Sequence, residues 1–150
     1  MPDVFTKTKR SAVMARIRSR GNKATELALV RVFRTLRITG WRRHIPIRHS
    51  PFAIRSFQVR PDFVFPKLRL AVFVDGCFWH GCPQHATQPK GNAAFWRKKF
   101  AANQARDRLV TRTLRRTGWR VLRIWEHALA RKHAAALERR LRRATQPGSR

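Results

Sequence analysis

Apolar side chains at Leu29, Val32, Phe33 and Leu36 recur at the three- and four-residue spacing of one helix face and stop near Gly40. This predicts a first helix opening after Asn22, a residue type suited to capping. The pattern then changes. Residues 41–47 and 57–65 read as strands separated by a basic loop holding Ser50 and Pro51, and residues 70–74 form a continuous apolar run of the buried-strand type. Three strands in succession predict a meander. Residues 76–91 mix Gly, Cys, His and Pro without a period, which marks an irregular stretch where chemistry is expected. Asn92 is placed to cap a long helix reaching about Thr117 and closed by Gly118. Residues 119–125 predict a last strand, and residues 128–142 a basic helix on Leu129, Leu137 and Leu141. The order is helix, three strands, helix, strand, helix, without an internal repeat of fixed period, and it indicates an α/β domain.

Charge narrows this picture. The 150 residues carry 35 Lys and Arg against 7 Asp and Glu, a formal net charge of +28, which points to a polyanionic partner, nucleic acid first. Five Trp and 43% apolar residues set the chain apart from a disordered coat on phosphates. The length fits one domain, taken as residues 22–142. Before it, residues 1–21 read as a basic DNA-contacting arm, with Lys7, Lys9, Arg10, Arg16, Arg18 and Arg20 around Val13, Met14 and Ile17. After it, residues 143–150 read as a disordered tail. No apolar run approaches the ~20 residues of a membrane span and no signal segment is evident, so a cytoplasmic, nucleoid-associated monomer is expected.

With so few acids, the position of each is informative. Asp62 follows Pro61 at the entrance of one apolar strand, and Asp75 ends the next. Neighbouring strands would bring the two carboxylates to one sheet end, where such pairs hold Mg²⁺ beside a phosphate. Salt-bridged turn residues among many arginines explain the same pair. Glu26 shares a helix face with Leu29, Val30 and Phe33, so it borders the core; it also fits an ordinary acid in a first helical turn. His80, after Phe78 and Trp79, suits proton transfer or metal ligation. Cys77, Cys82, His85 and the distant His127 make a candidate tetrahedral Zn²⁺ set, against buried thiols beside surface histidines. Trp96, Phe100, Asn103, Asp107, Val110 and Leu114 share one face of the long helix, most of it expected in the core. Phe78, Trp79 and Trp96 read equally as core and as rings that stack on bases.

Taken together, the run Val72-Phe-Val-Asp-Gly-Cys-Phe-Trp-His-Gly-Cys82, with Arg60-Pro-Asp-Phe-Val64, Phe95-Trp96 and Gly118-Trp-Arg-Val-Leu-Arg-Ile-Trp-Glu126, resembles the very short patch repair endonuclease family. The resemblance spans roughly residues 8–130. It implies a restriction-endonuclease-like core, a mixed central sheet flanked by helices, with a structural zinc site. It also implies nicking of one strand 5′ to the T of a T:G mismatch left by deamination of 5-methylcytosine. Cytosine methyltransferases and mismatch-repair proteins are the partners that go with such a role. Residue by residue, the resemblance makes Asp62 the main Mg²⁺ ligand, His80 the proton-transfer histidine and Glu26 an accessory acid. It places Cys77, Cys82, His85 and His127 around structural Zn²⁺, with His127 where a cysteine is familiar. It gives Phe78, Trp79 and Trp96 a base-stacking wedge, Met14 an inserting role from the arm, and Lys99 with Asn103 contact with the mismatch. At Val74-Asp75 the familiar pattern is threonine then histidine, so Asp75 is expected to join the catalytic group and contribute to Mg²⁺ binding directly or through water.

Overall fold

The computed structural model describes Thr6, Thr8, Lys9 and residues 25–48 and 58–148. The expected arm residue Met14, the Asn22 cap and the loop at Ser50 and Pro51 lie outside them. Helix α1 (Glu26–Thr35) buries Glu26, Leu29, Val30 and Phe33 on one face, the spacing that its sequence predicts. It ends before Gly40. Arg37 takes the left-handed turn at φ 55°, and the Ile38 N–H returns to the Phe33 carbonyl at 2.9 Å.

The strands are shorter than expected. Residues 41–47 divide into β1 (Arg42–Arg43) and the start of β2 (Ile47–Arg48), because His44 turns the chain at φ 54° and Pro46 has no N–H for a ladder. Residues 57–65 likewise divide at Pro61 into β3 (Gln58–Val59) and β4 (Phe63–Phe65). Strands β2 and β3 form a small antiparallel ribbon. The main sheet has the order β1-β4-β5-β6, with β5 (Leu70–Asp75) and β6 (Arg120–Trp125). Strand β4 lies antiparallel to both β1 and β5, so the expected meander is present, while β5 and β6 are parallel across the long helix α2 (Ala93–Arg116).

Asn92 stands at the α2 N-terminus, but at φ 54° and ψ 42° its side chain makes no capping bond, which corrects the expected cap. The last helix also differs. Two 3₁₀ turns (Glu126–Leu129 and Arg131–His133), separated by extended Ala130, precede α3 (Ala134–Thr145). The expected start at 128 is thus too early, and the helix continues into the stretch read as tail because Leu137 and Leu141 anchor it one turn apart.

The period of two along β4 and β5 gives each sheet face its own core. Phe63, Phe65, Leu70 and Val72 meet Leu29 and Phe33 of α1 and Leu137 and Leu141 of α3. Val64 and Ala71 face Leu114 of α2. Phe33 packs edge-on against Phe63 and Phe65, with ring centroids 5.1 and 5.6 Å away. The result is a mixed sheet between helices, with the C-terminal ends of β5 and β6 opening toward the irregular stretch after Asp75. Among the described residues no helix is long and apolar enough to cross a membrane.

Candidate functional site

Four of the seven acids of this +28 chain line one cavity of about 670 Å³: Glu26, Asp62, Asp75 and Asp107. His80, Trp79, Arg60, Arg106 and Arg123 share its wall. Like charges brought this close disfavour folding unless cations offset them, so each carboxylate's partners indicate what it can do.

Asp62 sits just before β4, where the antiparallel register brings it against the end of β5. Its Oδ2 accepts the Val74 N–H at 2.8 Å. Among the described residues Oδ1 has no hydrogen-bond partner. Burial pushes the Asp62 carboxyl above its ordinary value; the Val74 N–H and the nearby His44 work against this, and the charges of Glu26 and Asp75 reinforce it. A half-committed, desolvated carboxylate of this kind is suited to a cation. Glu26, 2% exposed, is already neutralised: Oε1 accepts from Arg43 Nε at 2.6 Å and from Arg43 Nη2, and pairs with His44 Nε2 at 2.7 Å.

Asp75 and Asp107 are joined through Arg123 of β6. Arg123 Nε donates to Asp75 Oδ2 at 2.8 Å, and Nη2 reaches Asp75 Oδ1 at 3.2 Å and Asp107 Oδ1 at 2.8 Å. The other oxygen of Asp107 is 2.6 Å from His80 Nδ1, while Asp75 Oδ1 is 3.8 Å from the same nitrogen. Burial works against protonation of His80, but the Asp107 hydrogen bond and the charges of Asp75 and Asp107 prevail and raise its pKa. Burial alone would raise Asp107; the bond to His80 and the charges of His80, Arg123 and Arg106 hold it below the usual carboxylate range. The pair is therefore ionic in its protonated form, with Nε2 as the ring nitrogen left for chemistry.

The expected wedge residues form one aromatic group, of which Trp79 lines the cavity. Phe78 lies 5.2 Å from Trp79, 5.4 Å from Trp96 and 5.3 Å from Phe100, measured between ring centroids. Asn103 Nδ2 donates to the Trp79 carbonyl at 2.9 Å, which fixes the backbone of that loop on α2. Lys99, one turn earlier, is exposed.

The four residues expected around zinc also converge. Donor atoms of Cys77, Cys82, His85 and His127 all lie within 4.8 Å of one another. His127 Nδ1 is 3.4 Å from Cys77 Sγ and 3.5 Å from Cys82 Sγ, and His85 Nδ1 is 3.8 Å from Cys82 Sγ. A tetrahedral Zn²⁺ with ordinary bond lengths separates sulfur and nitrogen ligands by roughly 3.6 Å, so the donor set fits that ion. Glu126 supports it by accepting the Cys77 N–H at 3.2 Å. Asp62 with its open oxygen, and Asp75 nearby, similarly fit a hard divalent cation.

Two residues of the site escaped the sequence reading. Asp107 falls on the stripe of the long helix that its spacing assigns mostly to the core, although an acid on that stripe in a chain with seven acids is itself a signal. Arg123 lies inside the last strand between Leu122 and Ile124, where a charged residue needs a partner.

The family model described as DNA mismatch endonuclease Vsr matches residues 2–86. The chain is 49% identical over 80 residues to the Type II nicking enzyme V.NaeI of Lentzea aerocolonigenes, covering 53% of this chain and 48% of that one. It is 35% identical over 139 residues to the Type II nicking enzyme V.NmeDIP of Neisseria meningitidis serogroup C, covering 91% and 86% respectively. With DNA mismatch endonuclease Vsr of Escherichia coli strain K12 it shares 41% identity over 75 residues, 49% of this chain and 48% of that protein. The match thus spans about half the length of the Lentzea and Escherichia proteins and most of the Neisseria one. The match over more than half of the chain, together with the near-full-length likeness to the Neisseria enzyme, establishes that this chain belongs to the DNA mismatch endonuclease Vsr family.

Proposed function

We propose that the chain is a Mg²⁺-dependent DNA endonuclease that nicks one strand 5′ to the T of a T:G mismatch arising from 5-methylcytosine deamination. The observation that carries this reading is the gathering of four of seven acids and His80 in one cavity of an otherwise strongly basic chain. A protein that only binds nucleic acid has no use for such a concentration of carboxylates beside phosphates.

Asp62, whose Oδ2 is taken by the Val74 N–H, would hold the cation, and Asp75, with both oxygens on Arg123, would assist directly or through water. Held there, a divalent cation such as Mg²⁺ would supply charge to polarise the scissile phosphate, lower the pKa of attacking water and neutralise the leaving oxygen. His80 accepts the proton of that water at Nε2 while Asp107 holds Nδ1–H and stabilises the imidazolium that forms. The water oxygen bonds to phosphorus as the bond to the leaving oxygen breaks. Glu26, tied to Arg43 and His44, acts as an accessory acid that keeps the Asp62 side of the cavity in place.

The basic surface supplies salt-sensitive binding to duplex DNA. Phe78, Trp79 and Trp96, with Met14 from the arm, open the duplex at the weak T:G pair, at a cost of a few kcal/mol in unstacking. Lys99 and Asn103 read the opened pair. Cys77, Cys82, His85 and His127 would hold a structural Zn²⁺, which would tie the loop carrying His80 to the end of β6. The enzyme works as a monomer after a cytosine methyltransferase has marked the site, and mismatch-repair proteins take over the nick. The test is Mg²⁺-dependent nicking of an end-labelled T:G duplex by the wild type and by Asp62→Ala. A second reading, a nickase of undamaged or foreign DNA, is favoured by the names of the nicking-enzyme relatives, and a matched duplex in the same assay separates the two.

A further inference from the structure

Arg123 is the most fully engaged cation of the site. Nε and Nη2 hold Asp75, Nη2 also holds Asp107, and Nη1 donates to Thr111 Oγ1 at 3.3 Å. The guanidinium carbon lies 4.6 Å from the centroid of the Phe73 ring, directly across the parallel register that pairs Phe73 with Arg123. Its own carbonyl accepts from Arg140 Nη2 at 2.8 Å, which links β6 to α3. One planar fork thus joins the end of β5, the middle of α2 and the strand that carries it.

We propose that Arg123 is a positioning residue for strand cleavage: it fixes Asp75 and Asp107 relative to each other, and through Asp107 it sets the orientation of the His80 ring. The proposal rests on the cleavage role given to this cavity. The geometry explains why both acids are tolerated at His80. Each presents an oxygen to the same imidazole nitrogen, at 2.6 and 3.8 Å, and the guanidinium between them removes their mutual repulsion. A lysine there carries the same charge, but its donors sit on one nitrogen, so it does not reproduce the separate Nε, Nη1 and Nη2 contacts of the planar fork. Without the fork, Asp75 is free to turn toward the cation or toward His80, and Asp107 has only the imidazole to orient it.

Three variants test this. Arg123→Lys keeps the charge, Arg123→Met keeps an unbranched stem, and Arg123→Ala opens a space that guanidinium ion can enter. Single-turnover nicking, duplex affinity and melting temperature are measured for each, and the His80 Nδ1–H resonance is followed by NMR in the DNA-free protein. Expected for Arg123→Met is a loss of roughly tenfold to hundredfold in nicking rate with duplex affinity nearly unchanged, the usual scale for a supporting hydrogen-bond partner. The His80 Nδ1–H signal is lost or broadened in that variant. Lysine restores little, whereas added guanidinium restores part of the rate and the signal in Arg123→Ala but does nothing for Asp62→Ala. Folded Arg123→Met with a wild-type rate and an unshifted His80 signal would overturn the proposal, as would a rate loss that only follows the unfolded fraction. Wild type that shows the His80 signal yet cuts no DNA would instead sink the cleavage reading, and the NMR comparison would still decide the positioning claim.

Discussion

His80 Nδ1 and Asp107 Oδ2 stand 2.6 Å apart, joining the loop after β5 to the middle of α2. This contact fixes the ring of a half-buried histidine that lines the same cavity as Asp62 and Asp75. His80→Ala is expected to lower single-turnover nicking by about 10²–10⁴-fold, the range of a general acid or base, and to leave duplex binding intact. Asp107→Asn keeps the shape but loses the charge, and a smaller fall, about tenfold to hundredfold, is expected in the same assay.

The same pair sets a pH window for stability. The His80 pKa is raised above 6.5, so its contribution is complete below that value and is lost as pH rises through the folded-state pKa. The Asp107 pKa is lowered below 3.8, so its contribution is present above 3.8 and is lost as pH falls through the folded-state value. The destabilisation caused by Asp107→Asn is therefore expected to be largest near pH 5 and to shrink toward pH 8. Melting curves of the variant and wild type across that range check it; a difference that grows with pH would contradict the assignment.

Asp62 illustrates a trade between stability and activity. Burial and the neighbouring charges of Glu26 and Asp75 make its ionised form costly, and the Val74 N–H offsets only part of this. Asp62→Asn keeps an acceptor for Val74 and removes the charge. In chelator-treated protein it is expected to raise the melting temperature by a few degrees while abolishing nicking. Added Mg²⁺ should stabilise the wild type and leave the variant unmoved.

Cys82, 2% exposed, belongs to the cluster of cysteine and histidine side chains. One zinc per chain is expected by elemental analysis of the wild type. Cys82→Ser should lower that content and the melting temperature together, since a structural zinc contributes directly to folding. Unchanged metal content would remove the zinc shell from the account.

The sequence made the long elements legible because their patterns are unambiguous. The continuous apolar run of β5, the α2 stripe and the last strand β6 all appear close to where they were expected. Residues 41–47 and 57–65 were misjudged because a non-glycine left-handed turn at His44 has no strong sequence signature, and the break at Pro61 was read as a strand entrance. Asp62, Asp75, Glu26 and His80 could be named because acids and a histidine in such positions are scarce. Their hydrogen-bond partners could not, since Asp107 and Arg123 approach from a helix and a strand far along the chain. The zinc candidates were legible as residue types, and only the fold brings His127 to Cys77 and Cys82.

The central claim is tested most directly by nicking of end-labelled duplexes that differ only in carrying T:G or C:G at one position inside a methyltransferase site, with Mg²⁺ present. A single cut is expected 5′ to the T of the T:G duplex, absent from the C:G duplex and from reactions with Asp62→Ala. Equal cutting of both duplexes would contradict mismatch selection and favour the broader nickase, and binding without cutting across divalent metals would contradict the enzymatic reading itself.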